Sequence, residues 1–347
     1  MRGLRKYLTP FAPDQSGAVS VLFELGGIVV ICDAGGCTGN VCGFDEPRWF
    51  EQKSAIFSAG LRDMDAILGR DDRLVAKLAD VVQKIDATFV AVIGTPVPAV
   101  IATDYLALKR MSEKKIKLPI LIVDTDGMEL YDKGEEKAFL ELFKTFAVEK
   151  YPVDEHKIGV LGMTPQDVSD LDAADKIRDL YQQKYGKQAV CYCMGDGLEE
   201  IREASSVSRN IVVSPAALMT AKYLEKTFGT PYEIHYPLVD ELIPDVDYTG
   251  KEVLIVHQQV IANSIRKELL KKGAKRVQIA SWFMMKKELL ADGDVLLRDE
   301  DAYIELVQNG DFDIIFADGC MERMIPEFKG IFVDTRHFAV SGKLIGK

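Results

Sequence analysis

The sequence predicts an α/β protein built from three units, each a parallel sheet with helices on both faces. Three observations carry that expectation. Short, nearly uninterrupted apolar runs recur along the chain, among them Ile28-Val29-Val30-Ile31, Ile120-Leu121-Ile122-Val123 and Ile314-Ile315-Phe316-Ala317. Such runs read as strands buried on both faces. Most are followed by a loop of Gly, Thr, Asp or Pro, and then by a stretch with apolar residues three and four apart, which reads as a helix. At about 150 residues per domain, 347 residues suggest two or three domains. The layout favours three, over 1–150, 151–245 and 246–347.

In chain order, Ser16 is a suitable N-cap for a short helix over 17–25, which Gly26-Gly27 would end. A buried strand over 27–31 leads into a glycine-rich loop. The stretch 53–69 reads as loop followed by a helical turn. Asp71-Asp72 open a helix whose Leu74, Val75, Leu78, Val81 and Val82 share one face. A strand over 89–93, a helix over 99–112, a strand over 120–123 and a helix over 135–146 complete the first unit. The second begins near Tyr151-Pro152, with strands over 157–161, 188–192 and 210–213 and helices over 172–185, 198–204 and 216–228. The third comes after the acidic stretch 240–249. Its strands fall at 252–256, 277–280, 294–297, 314–317 and 331–333, and its helices at 261–272 and 302–309.

Composition narrows the function classes. The formal charge is −11, which argues against nucleic acid as a partner, because phosphate binding needs a basic face. No run approaches the roughly 20 apolar residues that span a bilayer. The basic start Met1-Arg2-Gly3-Leu4-Arg5-Lys6 leads into Tyr7-Leu8-Thr9-Pro10, not an apolar signal core. A cytoplasmic protein is expected, its six cysteines free thiols or ligands.

The strongest chemical signal is the loop after the first strand. It runs Cys32-Asp33-Ala34-Gly35-Gly36-Cys37-Thr38-Gly39-Asn40-Val41-Cys42-Gly43-Phe44-Asp45-Glu46-Pro47-Arg48-Trp49. Gly35 and Gly36 permit positive φ and close approach of a ligand. Thiolates suit iron–sulfur clusters, zinc or copper(I). A loop at the carboxyl end of a strand is where open α/β sheets place ligands. Cys37 and Cys42 therefore fit either metal ligation or ordinary loop thiols. Cys32 fits a buried strand end.

These residues resemble the nitrogenase component 1 family, which includes molybdenum–iron protein subunits, the cofactor scaffold pair and the dark protochlorophyllide reductase subunits. Gly35-Gly36-Cys37 resembles the family's first cluster cysteine after its glycine loop. Asp63-Met64-Asp65-Ala66-Ile67-Leu68-Gly69 and Asp72-Arg73-Leu74 resemble its acidic segment before a helix. Gly94-Thr95-Pro96 sits where many members carry a second cysteine. Lys222 to Tyr232 resembles the helix and turn of the second domain, and Gly250-Lys251-Glu252-Val253 through Phe312-Asp313-Ile314-Ile315 resembles the third. The loop with Asp45-Glu46-Pro47-Arg48-Trp49 is similar to a branch of short nitrogenase-like oxidoreductases.

The resemblance implies three Rossmann-like, doubly wound domains. It implies an oxidoreductase subunit that binds an iron–sulfur cluster of the [4Fe–4S] type at a subunit interface. The cofactor-binding positions it implies are Cys37, Gly35, Gly36 and Thr95, with Cys37 as a metal ligand. The family's first motif has one cysteine there, and Cys42, five residues on in the same glycine-rich loop, is added as a second cofactor-binding position and metal ligand from its place in the loop. Two such thiols from each of two subunits would make the four that the cluster needs. The implied partners are a second copy or a paralogous subunit, an ATP-dependent iron-protein reductase and a small-molecule substrate. The alternative is a non-catalytic scaffold or carrier for a metal cofactor. Departures from the family are specific. Thr95 and Thr125 stand at the second and third cysteine positions, Cys32 stands where relatives often carry His, and the loop at Ser214-Pro215 lacks the cofactor cysteine.

Other residues carry weaker signals. Cys191 and Cys193, two apart on a strand, would share one face and fit core packing better than metal binding. Cys320 is a reserve ligand beside an interdomain cleft. His156 and His235 read as domain-edge residues, and His257 as structural. His337 resembles a position near a cofactor histidine of catalytic relatives. Gly159-Val160-Leu161-Gly162 and Met194-Gly195-Asp196-Gly197 complete neither nucleotide-loop pattern, so no autonomous ATP or NAD site is expected. Asp63 and Asp65 read as helix-start charges or a partner-facing patch. Arg48 and Trp49 read as interface anchors.

Overall fold

A computed structural model describes residues 5–346 with the exception of Lys53. Its strands form three sheets in which every pairing is parallel. The first holds β1 (Ile28–Ile31), β2 (Ala55–Ser58), β3 (Val90–Ile93) and β4 (Ile120–Val123) in the order β2-β1-β3-β4. The second holds β5 (Lys157–Leu161), β6 (Gln188–Cys191), β7 (Asn210–Val212) and β8 (Tyr232–Ile234) in the order β6-β5-β7-β8. The third holds β9 (Glu252–Val256), β10 (Arg276–Ser281), β11 (Val295–Leu296), β12 (Ile314–Ala317) and β13 (Ile331–Asp334) in the order β11-β10-β9-β12-β13.

Parallel neighbours need crossovers, and helices supply them on both faces. Each sheet therefore has a point where the strand order reverses: between β1 and β3, between β5 and β7, and between β9 and β12. Ligands of doubly wound folds bind outside the carboxyl ends of strands at that reversal.

The first and second sheets share one core, assembled around the helices Asp14–Leu22 and Tyr131–Phe146. These helices meet backbone to backbone. A Cβ on Gly17 would lie 1.9 Å from Tyr131 O, and one on Gly134 would lie 1.7 Å from Asp14 O, so neither position accepts a side chain. At the start of the chain, Leu8, Phe11 and Ala12 pack into the core of the third sheet. The backbone N–H groups of Lys6, Tyr7 and Leu8 donate to the Glu300 carboxylate.

Several elements differ from the sequence reading for local reasons. Ser16 is not an N-cap. The first helix starts at Asp14, and the Ser16 hydroxyl donates instead to Asp45 Oδ2 at 2.6 Å. The single helix expected over 99–112 is two, Pro96–Val100 and Tyr105–Lys115, because Asp104 caps the second through Ala107 N at 2.9 Å. The helix expected from 135 starts a turn earlier, at Tyr131. The sequence reading missed β2 and β8. Both are short, lie at sheet edges and are only partly buried, so neither shows the doubly apolar run of a central strand.

Candidate functional site

The cysteine loop leaves β1 at the reversal point of the first sheet. Cys32 is buried and continues the ladder, its N–H donating to Ile93 O at 2.9 Å. Asp33, also buried, fixes the start of the loop. Its carboxylate accepts from Thr38 N at 2.7 Å, Thr38 Oγ1 at 3.0 Å and Ser58 Oγ at 2.5 Å. Gly35 turns the chain at φ +119°, a conformation side chains oppose. A short helix, Gly36–Asn40, runs directly into one wider π-type turn, Val41–Asp45, closed by Glu46 N to Val41 O at 2.9 Å. Such turns are frequent at functional sites.

This segment carries Cys37 and Cys42, both half-buried against the shared core. Burial pushes both thiols up, with Asp33 adding to the effect at Cys37 and Glu46 at Cys42. Around them the backbone is bare. A Cβ at Gly35, Gly36, Gly39 or Gly43 would meet nothing within 4 Å. Phe44 and Phe50 line one cleft with Gly43, each 77% exposed. The two thiols thus lie on an open, apolar-flanked surface with room for close approach. Among the described residues no group of three or more His, Cys, Asp or Glu side chains is arranged to hold a metal ion. The loop presents two thiols, fewer than the four that a thiolate-bound [4Fe–4S] cluster takes, so a cluster held here would need ligands from another chain.

Thr95 lies at the end of β3, across the reversal point from that loop. Its hydroxyl donates to Cys32 O at 2.7 Å, and it caps the helix Pro96–Val100 by accepting from Val97 N at 3.4 Å. Thr125 repeats the motif one strand further on, donating to Gly94 O at 2.7 Å. The two threonines stitch together the carboxyl ends of β1, β3 and β4.

Arg48 is not a surface anchor. It is 2% exposed and lies under the loop. Its Nε and Nη2 each donate to Glu46 at 2.7 Å, Nη1 to Glu24 at 2.9 Å and Cys193 O at 3.3 Å, and Nη2 also to Ser20 O at 2.6 Å. Burial opposes its charge, but Glu46 and Glu24 more than compensate and raise its pKa. Cys191 and Cys193 are both buried, as core packing requires. They do not share a face: β6 ends at Cys191, and Cys193 takes φ +68°, which sends the two thiols into different cores. Cys320 is half-buried against the third core, its thiol pushed up to about 12 by burial and then by Asp318.

The sequence reading missed a second centre, where the reversal points of the second and third sheets meet the first turn of the helix Tyr131–Phe146. The Tyr131 hydroxyl donates to Asp167 Oδ1 at 2.6 Å and lies 3.1 Å from His337 Nε2. Thr164, just after β5, donates to Glu135 Oε1 at 2.6 Å. Asp132 Oδ2 accepts from Met284 N at 2.5 Å. Asp318, just after β12, accepts from His337 N at 3.0 Å and Ser341 Oγ at 2.6 Å. His257, just after β9, stacks on His337 with ring centres 4.3 Å apart and planes at 12°.

All of these side chains are buried except Ser341, and burial sets their protonation. It pushes Asp132 up to about 6 and Asp167 up to about 7, and raises Glu135 as well. It lowers His257 to about 4, and it depresses His337 as well, with His257 alongside adding to the effect. His257 is fixed as the neutral Nε2–H form, since Nε2 donates to Arg336 O at 3.1 Å while Nδ1 accepts from Gln258 N at 2.9 Å. Glu135 Oε2, Asp167 Oδ2 and His337 Nδ1 have no hydrogen-bond partner among the described residues. Trp282, Phe283 and Val340 close the space beside the two histidines, which leaves no room there for a water molecule.

Beside the cysteine loop lies a cleft of about 990 Å³. Asn40, Gly43, Phe44 and Asp45 of the cysteine loop form one wall, residues 9–13 a second and residues 338–344 a third, with Gln166 among the lining residues. Asp45 Oδ2 is held by Ser16 and by Asn40 Nδ2 at 2.6 Å. Among the described residues no helix is long and apolar enough to cross a membrane.

With that geometry in view, similarity to known proteins is informative. Two relatives carry the name "Nitrogenase iron-molybdenum cofactor biosynthesis protein NifE". The one from Clostridium pasteurianum is 28% identical over 180 residues, covering 51% of this chain and 38% of that protein. The one from Bradyrhizobium diazoefficiens is 22% identical over 185 residues, covering 51% and 32%. The matched region thus spans less than two fifths of either curated relative. Solved structures titled "Nitrogenase Cp1 at pH 6.5" and "Nitrogenase Cp1 at pH 5" superpose with TM-scores of 0.71 and 0.70. Both cover 96% of this chain, and 87% and 84% of their own, at 13% and 15% identity, which speaks to the fold alone. The family model for nitrogenase component 1 type oxidoreductases matches residues 14–240, well over half of the chain and the whole of both sheets that flank the cysteine loop. The chain belongs to the nitrogenase component 1 type oxidoreductase family.

Proposed function

We propose that this chain is a redox subunit that holds an iron–sulfur cluster of the [4Fe–4S] type through Cys37 and Cys42 at a contact with a second subunit. That subunit is a second copy or a paralogue. Electrons come from an ATP-dependent iron-protein reductase, and a small molecule is reduced in the cleft beside the loop. The observation that carries the reading is the pair of half-buried thiols on a bare glycine backbone at the reversal point of the first sheet. When bound, the cluster supplies one-electron transfer.

The chain's own residues position and insulate. Asp33 holds the loop to β2 through Ser58, so that Cys37 stands at a fixed height above the sheet. Gly35 and Gly36 leave backbone accessible to a ligand. Thr95 keeps the ends of β1 and β3 in register from below, a positioning role. Phe44 and Phe50 offer apolar cover that a second subunit would complete, excluding water. Six free thiols and the lack of a membrane-crossing helix among the described residues accord with a cytoplasmic setting.

A second reading is a scaffold or carrier for a metal cofactor without turnover. The names of the two curated relatives favour it, as does the closed packing around His257 and His337, where the second and third sheets converge without open space.

Iron and acid-labile sulfide per chain, measured after anaerobic purification, test the shared premise. The native chain should carry both, and Cys37→Ala and Cys42→Ala should each lose most of them. A native chain without either, even after reconstitution alongside its partner subunit, refutes both readings. Turnover with an iron-protein reductase then separates the redox subunit from the scaffold.

A further inference from the structure

A second pocket lies on the opposite side of β1 from the shared core, and nothing in the proposed redox role uses it. It occupies about 420 Å³ between the edge strand β2 and the helix Asp71–Val82. Its floor is apolar, formed by Val30, Phe57, Leu74 and Leu78. Its polar lining is dominated by cations: Arg62, Arg73 and Lys77, against the single carboxylate of Asp80. In a chain of formal charge −11, three cations around one apolar pocket stand out.

The partners of these groups leave capacity for a ligand. Asp80 is engaged by Lys84 at 2.6 Å. Arg73 reaches Asp65 through Nη1 at 2.9 Å, which leaves the rest of its donor fork. Lys77 spends one of its three protons on Ala59 O at 2.7 Å. The Arg62 guanidinium has no acceptor among the described residues. The loop that separates the pocket from the cysteine segment turns at Gly60, φ +58°, and is held by Ser58, whose hydroxyl accepts from Gly60 N at 3.0 Å and donates to Asp33.

We propose that this pocket binds a small ligand with an apolar, aromatic-sized body and an oxyanion head, either a phosphate monoester or a carboxylate. The body rests on Phe57, Leu74 and Leu78. The head meets the Arg62 and Arg73 guanidinium groups and the Lys77 ammonium, whose forked and point charges match either anion. The volume lies in the range of small-molecule sites. The inference stands apart from the cluster reading, since no residue of the pocket belongs to the cysteine loop.

Calorimetric titration of the full chain at low ionic strength with 2-naphthyl phosphate, 2-naphthoate and 2-naphthylmethylammonium tests it. Both anions should bind saturably at one site, and the ammonium probe at least about tenfold more weakly. Added salt should weaken the anions. The double variant R62Q/K77M, whose altered side chains are exposed, should lose about tenfold or more for the anions. Whichever anion binds more tightly identifies the head group, and either ranking supports the site. The proposal is overturned if neither anion saturates, if the ammonium probe binds as tightly, or if R62Q/K77M binds the anions as the native chain does. The three probes on the native chain decide the matter even if the variant folds poorly.

Discussion

Asp167 is fully buried where the second and third sheets meet, and its pKa of about 7 makes the structure pH-sensitive in a definite direction. The ordinary value is 3.8, so the folded chain holds this proton more tightly than the unfolded chain by roughly 4 kcal/mol, at about 1.36 kcal/mol per pKa unit. A proton bound more tightly in the folded state stabilises that state at low pH. The contribution is complete below about pH 4, declines as pH rises from there to about 7, and is gone above. Replacing Asp167 with Asn removes the titration while keeping an oxygen to accept from the Tyr131 hydroxyl. Urea unfolding of native and D167N chains between pH 4 and 8 reads the difference. The native chain should lose stability across this window by more than the variant, by up to roughly 4 kcal/mol. The variant should keep a smaller slope from Asp132, held at about 6, and Glu135. At pH 8 the variant should equal or exceed the native chain, because it no longer buries an ionised carboxylate without a counter-charge. Identical slopes, or a D167N chain more impaired at pH 8 than at pH 5, would refute the reasoning.

Other positions give separate tests. Arg48→Met should cost roughly 3–5 kcal/mol in unfolding experiments, since it leaves the Glu46 and Glu24 carboxylates facing each other under the loop without their cation. Gly35→Ala meets no clash but must adopt φ +119°, at a cost of roughly 1–3 kcal/mol. On the proposed function it lowers iron content more than global stability, as anaerobic iron assay and thermal melting would show. Thr95→Val removes a buried hydroxyl bond to Cys32 O and should destabilise by about 1–3 kcal/mol while iron content holds. Loss of iron without loss of stability would instead make Thr95 a ligand.

Much of the fold was legible because central parallel strands are apolar on both faces and leave a dense sequence signal. β1, β3, β4, β9 and β12 all show it. β2 and β8 do not, because an edge strand packs only partly. The cysteine loop was legible because glycines and thiols are adjacent in sequence. The buried centre was not, since Tyr131 and Glu135 share one helix but Asp167, His257, Asp318 and His337 come from four other, distant segments, and no local spacing unites the set. A usable signal did exist: Thr164, His257 and Asp318 each come just after a strand at a reversal point, the position doubly wound folds reserve for ligands. Cys191 and Cys193 misled for the opposite reason, because alternation along a strand holds only while the strand lasts, and β6 stops at Cys191.

The two centres divide the chemistry. Around His257 and His337 most of the polar side chains bond one another, the rings stack and no water fits, so the sequence has exchanged open space for packing. Below about pH 6, a neutral histidine pair beside carboxyls that have kept their protons carries little net charge, which allows so many polar groups to stay dry. At the cysteine loop the order is reversed. Polar groups beneath it are fully used by Asp33 and Arg48, while the surface above shows bare glycine backbone, two thiols and two exposed phenylalanines. A rigid base under an unsatisfied face is the arrangement a binding site needs, because the ligand then meets groups already held in place. Substitutions in the buried centre should therefore register chiefly as stability and its pH dependence. Those at Cys37, Cys42 and Phe44 should register chiefly as metal content and subunit association.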